Sequence, residues 1–343
     1  MSSRILCLLA FASLSFLRLS AGEGDLLPHV RTEMRMDWQN DFGHPGEGGV
    51  SDNGFRVNNI YLIVDGRIDE HFTYKYRQRL NRYNLTSAVM ESVDWAQLIW
   101  SPDEHWSFAA GKQVMEVGSM EYDANPIDVF RYSEWIQHAR PYQLGISAQY
   151  NLEQGDNLTF QISQSLCDPT FFTYYSYNFS WRRNVSGIWR PYYSVNLHQY
   201  AQHGYMAMAA LGNRFHFGDH WFCIDWVQRC TDDNLRQPGN LWQDFSLIGC
   251  ADWQMNDYVK LTIEASYDHN ADDKADILCR EGTRLGVVGG GLLWTPFGTP
   301  LCRLHFTGSH TFGQNPLGTL CPGAWQLNVG LTWRFDIIKG EMK

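Results

Sequence analysis

The stretch Trp325–Phe335, WQLNVGLTWRF, separates into two faces when every second residue is read. Trp325, Leu327, Val329, Leu331, Trp333 and Phe335 form one face, apolar throughout and aromatic at both ends. Gln326, Asn328, Gly330, Thr332 and Arg334 form the other, which holds no apolar side chain. A period of two is the signature of a β-strand, because successive side chains leave opposite faces of the pleat. A half-buried strand of a soluble sandwich also alternates, but its apolar face is mostly aliphatic and its polar face rich in charge. Ten steps of ~3.3 Å cover roughly 33 Å. Tilted by about 45°, that length matches the ~25 Å apolar band of an outer membrane, with rings at its two interfaces.

The pattern recurs along the chain. Val30, Thr32, Met34, Met36 and Trp38 oppose Arg31, Glu33, Arg35, Asp37 and Gln39. Phe72, Tyr74 and Tyr76 oppose Thr73, Lys75, Arg77 and Arg79; Val259, Leu261, Ile263, Ala265 and Tyr267 oppose Lys260, Thr262, Glu264, Ser266 and Asp268. Sixteen strands are expected, over 28–40, 55–67, 70–83, 93–101, 105–116, 142–152, 156–166, 173–183, 189–200, 204–217, 220–230, 242–254, 257–268, 283–295, 301–313 and 323–335. Their connections alternate between short turns, such as DE, EQGD and GDH, and longer segments at 41–54, 84–92, 117–141, 231–241, 269–282 and 314–322. Short periplasmic turns and longer outer loops are the plan of an outer-membrane barrel. The fold class expected is therefore all-β, a transmembrane antiparallel barrel forming one domain over 23–343.

Composition agrees. Aromatic residues make up 15% and charged residues only 19%, against about 25% charged in soluble chains. A barrel combines an apolar exterior with a wet interior, because half of each strand meets lipid. Residues 1–22 hold Arg4, an apolar run from Ile5 to Leu17 and small residues at Ser20, Ala21 and Gly22; this reads as a secretory signal peptide. Loss of Arg4 and Arg18 takes the net charge of −10 to about −12, which argues against a nucleic-acid partner. Seven Cys follow Cys7, an odd number without a C-x-x-C pair, so neither a zinc nor a redox site is expected. Bridges among Cys230, Cys279 and Cys321 are one option for the loops.

The stretches DWAQLIWSPDEHWSFAAGKQV (94–114) and EYDANPIDVFRYSEW (121–135), with YSVN, ALGNRFHFGD and the closing VGLTWRF, resemble the phosphate-selective porin O and P family, particularly its shorter members from Bacteroidota. The resemblance implies a sixteen-stranded outer-membrane barrel that passes small solutes, often as a homotrimer, with the loop after the fifth strand lining the constriction. Two departures stand out. The family's named specificity rests on basic pore residues, whereas this loop carries Glu121, Asp123, Asp128 and Glu134 against Arg131 and Arg140. The chain also continues as DIIKGEMK beyond the closing Phe335.

Segment 117–141 is the longest connection, and a loop of that length usually serves function. We expect it to fold inward and present Glu121, Asp123, Asp128, Arg131 and Glu134 to a constriction. Arg31, Arg35, Lys75, Arg77 and Arg79 are the expected pore-lining row on the opposing wall, since charged rings select solutes. The plainer alternatives are that these charges pair with one another, as Arg31 with Glu33 or Arg35 with Asp37, and that Asp123, Asn125 and Asp128 cap turns around Pro126. Calcium-loop spacing is absent, as are H-E-x-x-H, G-x-S-x-G and a phosphate loop. No cofactor, metal or catalytic residue is expected. The function expected is passive diffusion of small hydrophilic solutes or ions across the outer membrane, with membrane lipid as the surrounding partner. An outer-membrane barrel hydrolase and a secreted soluble carbohydrate-binding β-protein are the alternatives.

Overall fold

The computed structural model describes residues 28–43, 53–81, 89–167, 173–183, 187–232 and 242–340. The expected signal peptide at 1–22 lies outside the described residues. The strands are β1 (His29–Phe42), β2 (Gly54–Arg67), β3 (Phe72–Arg79), β4 (Val93–Trp100), β5 (Trp106–Val114), β6 (Tyr142–Asn151), β7 (Asp156–Gln164) and β8 (Tyr175–Arg183). They continue with β9 (Trp189–Ala201), β10 (Gly204–Phe217), β11 (His220–Thr231), β12 (Asp244–Gln254), β13 (Val259–Asn270), β14 (Arg284–Trp294), β15 (Cys302–Gln314) and β16 (Trp325–Ile338). Each pairs antiparallel with its sequence neighbours, and β1 pairs with β16 to close the barrel. Closure matters physically: in hydrocarbon an unpaired sheet edge leaves backbone donors and acceptors without partners, and a closed sheet has no edge.

The alternation of the sequence becomes an inverted core. On β16, Val329 and Trp333 are each 46% exposed on the outer face, whereas Asn328 and Thr332, pointing inward, are 4% and 0% exposed. The outer face pairs its rings, with Trp100 stacked on Phe108 and Trp106 tilted against Tyr150. Gln161, Asn178 and Asn196 lie buried within, bonded to one another and to the Glu116 carbonyl, and buried Ser176 meets His198.

Two expectations change. The strand that was to end at Phe335 runs on to Ile338, placing Asp336 opposite Arg31 and 2.8 Å from the His29 ring, so the first residues of the tail are part of the wall. The disulfide lies in the wall: Cys223 of β11 is bonded to Cys250 of β12, directly opposite in register with Cα atoms 5.0 Å apart, while Cys230 and Cys279 are free thiols.

Short helices α1 (Val89–Ser92), α2 (Met120–Asp123) and α3 (Glu134–His138) are the helical elements of the described residues. The last two belong to the segment between β5 and β6.

Candidate functional site

After β5 the chain leaves the wall and crosses the lumen, so that residues 116–134 touch strands from both sides of the barrel. The first contact is a close one. A Cβ on Gly118 would come 2.7 Å from the Tyr192 carbonyl oxygen, and one on Gly212 would come 2.7 Å from the Gly118 carbonyl oxygen. Glycine at both positions lets the loop backbone lie against β9 and β10. The Gly118 N–H donates to Ser194 Oγ at 2.8 Å.

Carboxylates of the wall then hold the loop by its main chain. Asp225 on β11 accepts from Ser119 Oγ at 2.8 Å and from the Glu121 N–H at 3.0 Å. Ser119 also caps α2, accepting from the Tyr122 N–H. Glu264 on β13 accepts from the Phe130 and Arg131 N–H groups at 3.1 and 2.8 Å, and Asp268 accepts from the Glu134 N–H at 2.8 Å. From the far side, Arg35 Nη1 donates to the Val129 carbonyl at 2.7 Å. Such bonds satisfy backbone groups that would otherwise be stranded in a buried loop.

The acidic loop residues divide by role. The Glu121 carboxylate turns back within the loop, accepting from the Ser133 N–H at 2.7 Å and the Ser133 hydroxyl at 2.6 Å. Burial, with the charges of Asp268 and Asp225 nearby, pushes its carboxyl up to about 8 against the pull of those Ser133 bonds. Glu134 is fully buried and accepts from the Thr319 and Leu320 N–H groups at 2.6 and 2.9 Å, tying α3 to the loop before β16. Asp128 accepts from Arg303 and Arg334, each at 2.7 Å; burial works against its ionisation, but the two guanidiniums hold it below the ordinary carboxylate range. Asp123 accepts from Arg182 at 2.7 Å. Arg131 donates to Thr311 on β15 at 3.3 Å.

Two cavities flank the loop. The larger, about 730 Å³, is bordered by Arg31, Arg35, Arg77, Arg79 and Arg182, by loop residues including Asp123 and Arg131, and by aromatic rings. The smaller, about 340 Å³, lies toward β10–β16 and is bordered by Glu121, Asp123, Asp128, Arg131, Arg214, Lys260, Glu264, Arg303 and Arg334. Asp123, Asn125, Val129 and Arg131 border both.

Of the basic residues singled out from the sequence, Arg31, Arg35, Arg77 and Arg79 border the larger cavity, each beside a carboxylate. Arg77 is buried, its Nε 3.0 Å from Asp94 and its guanidinium 3.9 Å above the Trp95 ring. Arg79 shares Asp94 at 3.7 Å. Arg35 is paired with Asp37 at 2.7 Å, as the plainer reading had it. Arg31 reaches Asp65 at 4.0 Å rather than Glu33, and Glu33 lies 3.7 Å from Arg334. Lys75 is exposed, has no ion-pair partner among the described residues, and borders neither cavity. The wall carboxylates Asp94, Asp225, Glu264 and Asp268 and the arginines Arg182, Arg303 and Arg334 were not singled out. Their signal was their place on the polar faces of alternating strands, which told that they point inward but not what they meet. No cluster of metal-ligating side chains occurs among the described residues.

Comparison with known proteins returns the same architecture. The barrel resembles an anion-selective porin from Comamonas acidovorans at TM-score 0.64 and 10% identity, covering 90% of this chain and 99% of that one. It resembles the outer membrane channel DcaP of Acinetobacter baumannii at TM-score 0.64 and 10% identity, covering 92% and 99%. The trimer form of OmpT, an outer membrane protein of Vibrio cholerae, matches at TM-score 0.61 and 9% identity, covering 91% and 100%. At such identities the likeness is one of fold. No curated protein matches the sequence. The sequence model of phosphate-selective porin O and P matches residues 30–195, from β1 through the crossing loop into β9, and over that region the chain is similar to the phosphate-selective porin O and P family.

Proposed function

We propose that this porin passes small hydrophilic solutes passively, with the crossing loop setting its width and with only a weak preference for charge. The observation that carries this reading is a loop anchored on both sides of a closed barrel, with space left on each flank. A closed barrel of this kind passes solutes only through its lumen, so whatever borders that lumen chooses among them.

The charge pattern supports a weak preference. Arg77 and Arg79 share Asp94, Arg35 meets Asp37, and Asp128 sits between Arg303 and Arg334. Fields from paired charges fall off faster than those from isolated ones, and mobile ions screen what remains beyond ~10 Å at 0.1 M salt. The members of the loop that face the passage in this reading are Asp123, Asp128 and Arg131, with Arg31 and Arg79 opposite; Glu121 and Glu134 secure the loop. No bound cofactor and no catalytic step enter this mechanism. The chain reaches the outer membrane after removal of residues 1–22, and three copies associate, as the trimer form of the Vibrio cholerae protein does.

Reversal potentials across a planar bilayer in a salt gradient test the reading. A finite conductance with a reversal potential near zero is expected. A strongly ion-selective potential would reject the weak preference, and absence of conductance would reject the channel.

A further inference from the structure

We infer that solutes cross on one flank of the loop only: the larger cavity is the passage, and the smaller one is a recess sealed at its outer end. This rests on the passive-channel reading and names the side chains that a solute meets.

Register sets the levels. The long connections 115–141, 271–283 and 315–324 stand at one end of the barrel, the outer end in this architecture, and the short turns stand at the other. The larger cavity runs between the two ends. Gln39 and Gln326 border it near the outer ends of β1 and β16, and Arg31 and Arg182 border it near the inner ends of β1 and β8. The smaller cavity stops short: it reaches up β12 only to Ile248 and up β13 only to Ser266. The inward residues above them, Asp244, Ser246, Asp268 and Asn270, border neither cavity and are at most 2% exposed.

What covers them is a plug. The interior of such a barrel is polar where it is wet. Yet Met206, Met208 and Ala210 of β10 are apolar and buried, as are Val227 of β11 and Ile248 of β12. Trp135 of the crossing loop, Leu166 of the connection after β7 and Leu278 of the connection after β13 join them in one apolar cluster. Clustered apolar side chains exclude water, so this part of the lumen is a core rather than a channel.

Polar bonds pin the plug from above. Arg229 of β11 donates to Asp276, two residues before Leu278, at 2.9 Å, to Asp244 of β12 at 2.9 Å and to Ser246 at 3.0 Å. Ser246 donates to Asp268 of β13 at 2.5 Å, Asp268 accepts from the Glu134 N–H, and Glu134 accepts from the Leu320 N–H. Three connections and three strands are thus tied into one network over the recess, and the buried guanidinium is paired rather than stranded.

The two spaces meet beneath the loop, where Arg334 of the smaller stands 3.7 Å from Glu33 of the larger. A solute therefore passes Arg79 and Arg182 to reach this shared exit, and bypasses Arg214 and Trp221 in the recess.

The experiment places single cysteines in the full-length protein, Asn58→Cys or Gln326→Cys in the passage and Ser266→Cys or Lys260→Cys in the recess. Each is treated with 2-sulfonatoethyl methanethiosulfonate in a planar bilayer and read against the parent treated alike, with attachment confirmed by mass. A tethered sulfonate in the passage should lower the single-channel current by about half or more, and one in the recess should change it by less than about a tenth. Equal falls from both sets would mean that both flanks conduct, which overturns the inference and leaves the channel intact. So would an unchanged current with the adduct attached at Asn58→Cys and Gln326→Cys. Absence of any current in the parent rejects the channel reading, and the inference with it.

Discussion

The two sides of the lumen use the same residue types to opposite ends. Beside the larger cavity, wall carboxylates meet arginines: Asp37 takes Arg35 and Asp94 takes Arg77. Beside the smaller one, Asp225, Glu264 and Asp268 meet backbone N–H groups of the loop. An arginine reaches its partner through a long side chain standing on the same wall, so the pair keeps the main chain away and space remains. A backbone N–H has no side chain to extend, and the bond draws the loop itself to within about 3 Å of the carboxylate. One wall therefore frames an opening, and the other holds the object that narrows it.

That comparison presupposes lipid outside and solvent within. Leu331→Arg places a charge on the outer face, where it should cost about 2–4 kcal/mol in folding into bilayers. A cost below about half a kcal/mol would show that this face does not meet lipid, and the comparison would fall with it.

Asp225→Ala attacks the holding wall. It strips partners from the Ser119 hydroxyl and the Glu121 N–H, both buried, and should cost about 1–3 kcal/mol for the donors left unmet. Single-channel current should become larger and noisier as the loop loses its seat. A quiet current of the parent's size would mean that Glu264 and Asp268 hold the loop without it.

Replacing Lys75, Arg77 and Arg79 together by Gln attacks the framing wall. Asp94 then remains without its cations, and the reversal potential should move toward cations. Because Asp94 is screened in the parent by two arginines, the shift should come mainly from Arg77 and Arg79. The single Lys75→Gln variant should leave the potential nearly unchanged. An unaltered potential in the triple variant would make the row structural.

The smallest effect is a slope with pH. The Glu121 carboxyl, lifted by burial to about 8 from an ordinary 4.5, keeps its proton in the folded state where the unfolded chain has lost it. Folding then binds protons in this window, so the contribution of Glu121 to stability falls as pH rises from about 4.5 to 8. Melting temperatures of the detergent-folded barrel should show a shallower decline over that window in Glu121→Gln. An identical slope would mean that Glu121 is ionised in place.

Much of this was legible in the sequence, and the physical reason is periodicity. A strand with lipid on one side and water on the other must alternate, so the list Trp325, Leu327, Val329, Leu331 and Trp333 carries its environment on its face. Turn-rich dipeptides bounded the strands, and the long segment at 117–141 marked the loop. One bound slipped: the alternation runs past Phe335, with Asp336 on the polar face and Ile337 on the apolar one, and Asp336, opposite Arg31 and beside His29, belongs to β16.

What the sequence by itself determined is therefore the wall: which residues face out, which face in, and how often the chain turns. What only the tertiary structure decided is who meets whom across the lumen. Arg77 finds Asp94 from a neighbouring strand, but Glu264 finds the N–H of Arg131 from 133 residues away. Alternation records the solvent on each side of a strand and carries no term for distance around the barrel. Cys223 and Cys250 fall opposite one another, and Glu121 meets Ser133 within the loop, only once sixteen strands close on the segment that crosses them.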